Sequence, residues 1–333
     1  MDPLLAIEGL SVTFQSDAGP VRAVENVSFD LMPGETLAIV GESGSGKSVT
    51  ALAIMGLLGR GQMEARKLQF DGRSLLKMSQ PELRRIRGRE IGMIFQDPMT
   101  SLNPVLTIGR QLTEMFELHL GQSGTDARKG AIELLERVGV SSPEARLSQY
   151  PHHFSGGMRQ RVMIAMTMAC RPKILIADEP TTALDVTIQA QILELLADLQ
   201  RSFGMAIVMI THDLGVVAGI ADRVAVMYSG RVVETGPTDP VFDSPRMPYT
   251  RGLLGSIPRF DAPQADLVAI PGQPPDPVRR PPGCAFAPRC ALAQPACDAA
   301  PPELHDVGPG HRAACFRTDI TATTPAIPAR GLT

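Results

Sequence analysis

Residues Gly41, Glu42, Ser43, Gly44, Ser45, Gly46, Lys47 and Ser48 spell a complete G-x-x-x-x-G-K-S loop. Glycines at 44 and 46 admit backbone angles closed to other residues, so successive N–H groups can turn inward around phosphate oxygens at a helix N-terminus. Lys47 offers a point charge to the β and γ phosphates, and the Ser48 hydroxyl offers a ligand to Mg²⁺. A glycine-rich turn alone also joins strands to helices for structural reasons. Here the apolar run Leu37-Ala-Ile-Val precedes the loop, and apolar residues at helical spacing (Val49, Leu52, Ala53, Met55, Leu57) come after it, the context that a nucleotide loop demands.

A second set of residues supplies what phosphoryl transfer needs besides a phosphate cradle. Asp178 and Glu179 succeed the apolar run Ile174-Leu-Ile-Ala, which places two carboxylates at the carboxyl end of a buried strand, where open α/β sheets do their chemistry. Asp178 can hold Mg²⁺ through water, and Glu179 can polarise an attacking water. Each alone is commonly a solvated strand cap. His212, after the apolar run Ala206 to Ile210, can touch a γ-phosphate, although a lone histidine there is ordinarily an exposed or core residue. Ser155, Gly156 and Gly157 open an apolar helix, a second anion site by the same amide and dipole logic, with a plain helix cap as the alternative. Gln96 ends another buried strand, Ile91 to Phe95. Phe14, upstream of the loop, is placed where an aromatic could stack on adenine or serve as a core residue on a half-buried strand.

The elements that position these residues read as an α/β chain. Short β segments run from Leu4 to Glu35 and close at Pro33-Gly34. A helical insertion is predicted from 97 to 154, with helical patterns over Ile108 to Leu118 and Ala131 to Val138. Ile188, Ile192, Leu195, Leu196 and Leu199 mark one face of a later helix. The length of 333 residues suggests about two domains. Lys+Arg at 32 against Asp+Glu at 35 gives no basic footprint for nucleic acid. No apolar run approaches the roughly 20 residues of a membrane helix, and the start of the chain does not read as a signal peptide, so a cytosolic or peripheral protein is expected.

On these residues the chain resembles the nucleotide-binding subunits of ATP-binding cassette transporters over residues 4 to about 236. The resemblance implies a P-loop NTPase core with an antiparallel β subdomain and a helical insertion. It assigns Walker A to Gly41–Ser48, the Q-loop glutamine to Gln96, the signature to Ser155, Gly156 and Gly157, Walker B to Asp178 and Glu179, the D-loop to Ala183, Leu184 and Asp185, and the switch histidine to His212. Met158 departs from the glutamine of the commonest signature. Three stretches narrow the resemblance to the oligopeptide/dipeptide importer branch, which includes nickel and glutathione importers: Gln96 to Pro104, Phe154 to Met166, and the tail with Pro248-Tyr-Thr and Cys-Ala-Phe-Ala-Pro-Arg-Cys. The same resemblance implies an ATPase whose catalytic residues are Glu179, His212 and Gln96. It implies that Ser48, Gln96 and Asp178 hold Mg²⁺ and that the signature with Met158 serves a partner's ATP. The expected partners are a second ATPase subunit, two membrane permease subunits and, indirectly, an extracytoplasmic solute-binding protein, at the cytoplasmic face of the membrane. No nucleic-acid partner is expected. A soluble cassette ATPase acting on DNA or ribosomes is the alternative from another class; a catalytically dead subunit is opposed by Lys47, Asp178, Glu179 and His212 together.

Residues 237–333 form a further region, predicted to be irregular: prolines crowd it, apolar periodicity fades, and it is expected to bury little core. Cys284, Cys290, Cys297 and Cys315 lie there at spacings C-x5-C-x6-C-x17-C. Converging thiolates suit tetrahedral zinc or a [4Fe–4S] cluster; free thiols, or a site in which His311 replaces one cysteine, are the alternatives. The branch resemblance favours the [4Fe–4S] cluster, in a structural role.

Overall fold

The structure is a computed structural model that describes residues 2–97, 101–182, 184–256, 270–317 and 319–320. It divides into two compact units. A loop unit is built from residues 3–30, 36–76 and 211 onward, and a helical unit from 31–35 and 77–210.

In the loop unit, the strands Leu5–Ser16 and Gly19–Leu31 form the centre and one edge of an antiparallel sheet completed by Gln62–Glu64, Lys67–Phe70 and Arg73–Ser74. Val27, Phe29 and Leu31 alternate with more exposed neighbours, as a sheet with one solvated face requires. Thr36–Val40 behaves differently, because all five of its residues are buried. That pattern fits a strand covered on both faces, and it pairs in parallel with Arg223–Tyr228, Leu37 opposite Arg223. Ser229 and Gly230, both at positive φ (46° and 78°), turn that strand back into Arg231–Pro237, the geometry of a two-residue hairpin turn.

The tail does not behave as expected. His311–Ala313 adds to the edge of Arg231–Pro237, with Glu234 opposite Ala313, and pairs in turn with His305–Gly308. Tyr249, Phe286 and Cys290 join Val40, Val226, Tyr228 and Val241 in one buried cluster, so the tail shares core with the cassette sheet instead of burying little. The expectation fails because periodicity detects regular elements. An irregular, proline-rich chain can still place single apolar anchors on a sheet that already exists.

In the helical unit, Ile91–Ile94, Ile174–Asp178 and Ala206–Thr211 form parallel strands, Ile174 opposite Ile91 on one side and Ala206 on the other. The predicted insertion appears as the helices Ile108–Leu120, Gly124–Arg137 and Pro143–Arg146. The first two pack with Gly156–Met168 around Ile108, Leu112, Ala131, Leu135 and Val162, all fully buried. In Val186–Phe203 the buried stripe is Ile192, Leu196 and Leu199, as spaced in the sequence. Among the described residues no helix is long and apolar enough to cross a membrane.

Candidate functional site

In the loop unit, the buried strand Thr36–Val40 delivers the chain into Gly41–Ser48, and the helix Lys47–Ile54 begins within that loop. Gly41, Gly44 and Gly46 all have positive φ (149°, 76° and 100°), which shows why glycine stands at each. The Lys47 ammonium is buried; it donates to the carbonyls of Gly41 at 2.8 Å and Glu42 at 3.0 Å. The lysine thus lies folded along the loop whose amides it would help bind phosphate. Ser45 is buried, while Ser43 and Gly44 are exposed. Phe14 is half-buried and its ring lies against Gly61, where an added Cβ would stand 2.7 Å from it. His212 is exposed just past Ala206–Thr211, and the neighbouring Asp213 caps Leu214–Ile220 by accepting from the Gly215 and Val216 N–H groups.

Two residues that sequence reasoning passed over also reach this loop. The Tyr249 hydroxyl accepts the Glu42 N–H at 2.8 Å, and the Arg289 guanidinium forks onto the Glu42 carboxylate at 2.7 and 2.9 Å. Both lie in tail stretches that carry the branch resemblance, but nothing in their local spacing points to the loop. Burial works against the charged form of Arg289, yet the hydrogen bonds it donates to Glu42 and Tyr228 win and push its pKa up. Burial also raises the Tyr249 pKa strongly, so its hydroxyl stays neutral.

In the helical unit, Asp178 is the buried last residue of its strand, and Glu179 comes next with φ of 45°. A positive φ on a non-glycine residue is strained and must be held by its surroundings. The Glu179 N–H donates to Ile210 O, and its Oε2 accepts from Gln96 Nε2 at 2.9 Å and Thr182 Oγ1 at 2.7 Å. The fold therefore brings Gln96 and Glu179 together across 83 positions of sequence. Ser155 caps Gly156–Met168, its hydroxyl accepting the Met158 N–H at 3.4 Å, and Asp185 caps Val186–Phe203 through the Ile188 N–H at 2.9 Å. A Cβ on Gly157 would stand 2.8 Å from Ile188 Cγ2, so the glycine is what lets these two helices start side by side. Gln160 donates to Pro180 O at 2.6 Å, tying the Ser-Gly-Gly helix to the turn after Glu179. Ala183 lies outside the described residues.

None of the five cysteines forms a disulfide. Cys284, Cys290, Cys297 and Cys315 line one small cavity together with Met247, Phe286 and Leu292. Burial raises the Cys284 thiol and pushes Cys315 up to about 12. Among the described residues, no group of three or more His, Cys, Asp or Glu is arranged to hold a metal ion. His311 is engaged elsewhere, 2.7 Å from the fully buried Glu234 carboxylate.

A glycine loop and lysine on a buried parallel strand, an acidic strand end held by a glutamine, and a serine-capped Ser-Gly-Gly helix define an ATP-binding cassette ATPase. Solved structures agree: the dimeric post-hydrolysis ATP-binding cassette MJ0796, bound to ADP and Pi, matches with a TM-score of 0.63 and 30% identity over 70% of this chain and 98% of its own. CbiO1 from Clostridium perfringens, part of the ABC transporter complex cbiONQ, matches at 0.61 and 29% over 73% of this chain and 91% of its own. The family pattern described as ABC transporter covers residues 24–182, and that of the oligopeptide/dipeptide transporter C-terminal region covers 233–297. The oligopeptide transport ATP-binding protein OppD of Salmonella typhimurium is 53% identical over 314 residues, 94% of this chain and 93% of that protein. The dipeptide transport ATP-binding protein DppD of Bacillus subtilis is 52% identical over 97% of both chains. The chain belongs to the ABC transporter ATP-binding family, in its oligopeptide/dipeptide branch.

Proposed function

We propose that this chain hydrolyses ATP to power the uptake of di- or oligopeptides across the cytoplasmic membrane. It would work at the cytoplasmic face with a second ATPase subunit, two permease subunits and an extracytoplasmic solute-binding protein. The observation that carries this reading is the presence in one chain of both the cassette pattern and the peptide-transporter C-terminal pattern, in a sequence over half identical to ATPases named for oligopeptide transport. On this reading the domains are a cassette, 1–236, with a helical and signature subdomain over 97–160, and a C-terminal region, 237–333.

The residues then take these roles. Gly41–Ser48 wrap the phosphates of ATP and Phe14 stacks on its adenine. Ser48, Gln96 and Asp178, an oxygen-only donor set of the kind hard cations take, hold Mg²⁺, which supplies charge neutralisation on the phosphates. Glu179 orients and polarises the attacking water, and His212 contacts the γ-phosphate. Ser155, Gly156, Gly157 and Met158, with Asp185 nearby in sequence, serve the ATP of the facing subunit.

We assign Cys284, Cys290, Cys297 and Cys315 to a [4Fe–4S] cluster that staples the tail. One observation supports this: all four cysteines line one small cavity, and four thiolates are the ligand set of such a cluster.

The test is reconstitution of whatever membrane subunits co-purify with the chain into vesicles, with labelled di- and oligopeptides supplied through their binding protein. ATP-dependent peptide accumulation is expected. Accumulation of nickel but of no peptide, or co-purification with ribosomes or DNA in place of permeases, would defeat the reading.

A further inference from the structure

Glu42 is the second residue of the phosphate-binding loop, and the structure secures it at three points. Its N–H donates to the Tyr249 hydroxyl, its carbonyl accepts from Lys47 Nζ, and its carboxylate receives both arms of Arg289. Arg289 comes from a position 247 residues away, and its side chain is only 5% exposed. The rest of the guanidinium is anchored to the Pro271 carbonyl at 2.8 Å, the Ile270 carbonyl at 3.4 Å and the Tyr228 hydroxyl at 3.2 Å. It also lies 5.8 Å from the ring centres of both Tyr228 and Phe286. Those rings and Tyr249 form a buried triad with centroids 4.5 to 5.4 Å apart. A planar, preorganised fork anchored at its base is the means by which a protein fixes a carboxylate in one place.

Such anchoring matters for this loop in two ways. Three glycines at positive φ leave it little rigidity of its own, and a loop held in its binding shape spends less free energy on ordering when ligand arrives. The Glu42 carboxylate is also an anion in a loop built for anions, and an unneutralised charge there would repel phosphate.

We propose that Arg289, supported by Tyr249, is a positioning residue for ATP: from the tail it holds the nucleotide loop in its binding shape and neutralises Glu42. This deepens the ATPase reading and rests on it. It also gives the C-terminal region a task at the nucleotide.

The experiment measures equilibrium binding of a fluorescent ATP analogue to the full-length chain, well below the melting temperature. Arg289→Ala should weaken binding about tenfold, within the usual range for coupled sites, and Arg289→Lys should weaken it less. Glu42→Gln placed on Arg289→Ala should restore part of the loss, because the repelling charge is gone. Val241→Ala, which loosens the same buried cluster at a residue outside the Arg289 anchoring, should lower the melting temperature and leave ATP affinity unchanged. Wild-type affinity in Arg289→Ala would overturn the proposal. So would equal loss in Val241→Ala at matched melting temperature, which would make Arg289 a tail staple only. If the wild-type chain bound no ATP analogue, the nucleotide reading itself would fall and the clamp with it.

Discussion

Gln96 and Glu179 lie just past the carboxyl ends of neighbouring parallel strands, and the Gln96 amide donates to Glu179 Oε2 at 2.9 Å. The same oxygen takes the Thr182 hydroxyl at 2.7 Å, so the carboxylate is oriented from two sides while its backbone sits at a strained φ of 45°. A carboxylate so held has one orientation for a water. Glu179→Gln keeps the shape but cannot act as a base. ATP binding should survive and turnover should fall at least about a hundredfold, the usual scale for general-base catalysis. Steady-state ATPase of the assembled complex measures this, and near-wild-type turnover would remove Glu179 from the role.

The loop's glycines should not be equivalent. A Cβ on Gly41 would stand 2.2 Å from Met227 O at φ 149°, whereas a Cβ on Gly44 would meet nothing within 4 Å. Gly41→Ala should therefore cost about 3 kcal/mol or more, from clash and backbone strain together. Gly44→Ala should cost only the left-handed penalty of about 1 to 2 kcal/mol. Urea unfolding of both variants ranks them; equal losses would contradict the loop geometry.

Acid should loosen the tail's hold on the β subdomain. Glu25 accepts from Arg231 at 2.7 Å and from Arg280 at 2.9 Å. Partial burial works against its charge, but these arginines prevail and lower its pKa below the ordinary 4.5. A carboxylate with a depressed folded pKa stabilises the fold above its unfolded pKa, and that contribution is lost as pH falls through the folded value. Melting temperature should drop below about pH 4.5, and less steeply in Glu25→Gln. An unchanged acid slope in that variant would discount the network.

The cysteine cavity makes its own prediction. Anaerobically purified protein should be brown, with broad absorption near 400 nm and with iron and sulfide in stoichiometric amounts, as thiolate-ligated clusters give. Cys290→Ser should lose the colour. Zinc without iron, or colour indifferent to the serine, would exclude the cluster.

Turnover should also need company. The isolated chain should bind ATP and hydrolyse it poorly, because the proposed facing Ser-Gly-Gly helix belongs to another subunit. Analytical ultracentrifugation of Glu179→Gln with ATP should show a dimer, or a heterodimer once the second ATPase is added. A monomer hydrolysing at the rate of the complex would sink the two-subunit site.

Much of this protein is legible in its residues because its chemistry is written locally. The phosphate loop needs glycines at fixed offsets, the acidic strand end succeeds an unbroken apolar run, and the helix starts at Ser155 and Asp185 carry their own caps. Each depends on neighbours within a few positions, so spacing reveals it. The stripe of Ile192, Leu196 and Leu199 likewise comes from helical periodicity alone.

What only the tertiary structure decided are contacts between distant segments. Proline-rich sequence around 284–290 has no period to read, yet Phe286 and Cys290 pack into the core beside Val40 and Tyr228, and the spacing of four cysteines could not say that they share one cavity. The pairing of Arg289 with Glu42, 247 positions apart, leaves no trace in either segment. Charge complementarity between two side chains is felt only once the sheet edge, the aromatic triad and the tail have already folded into place.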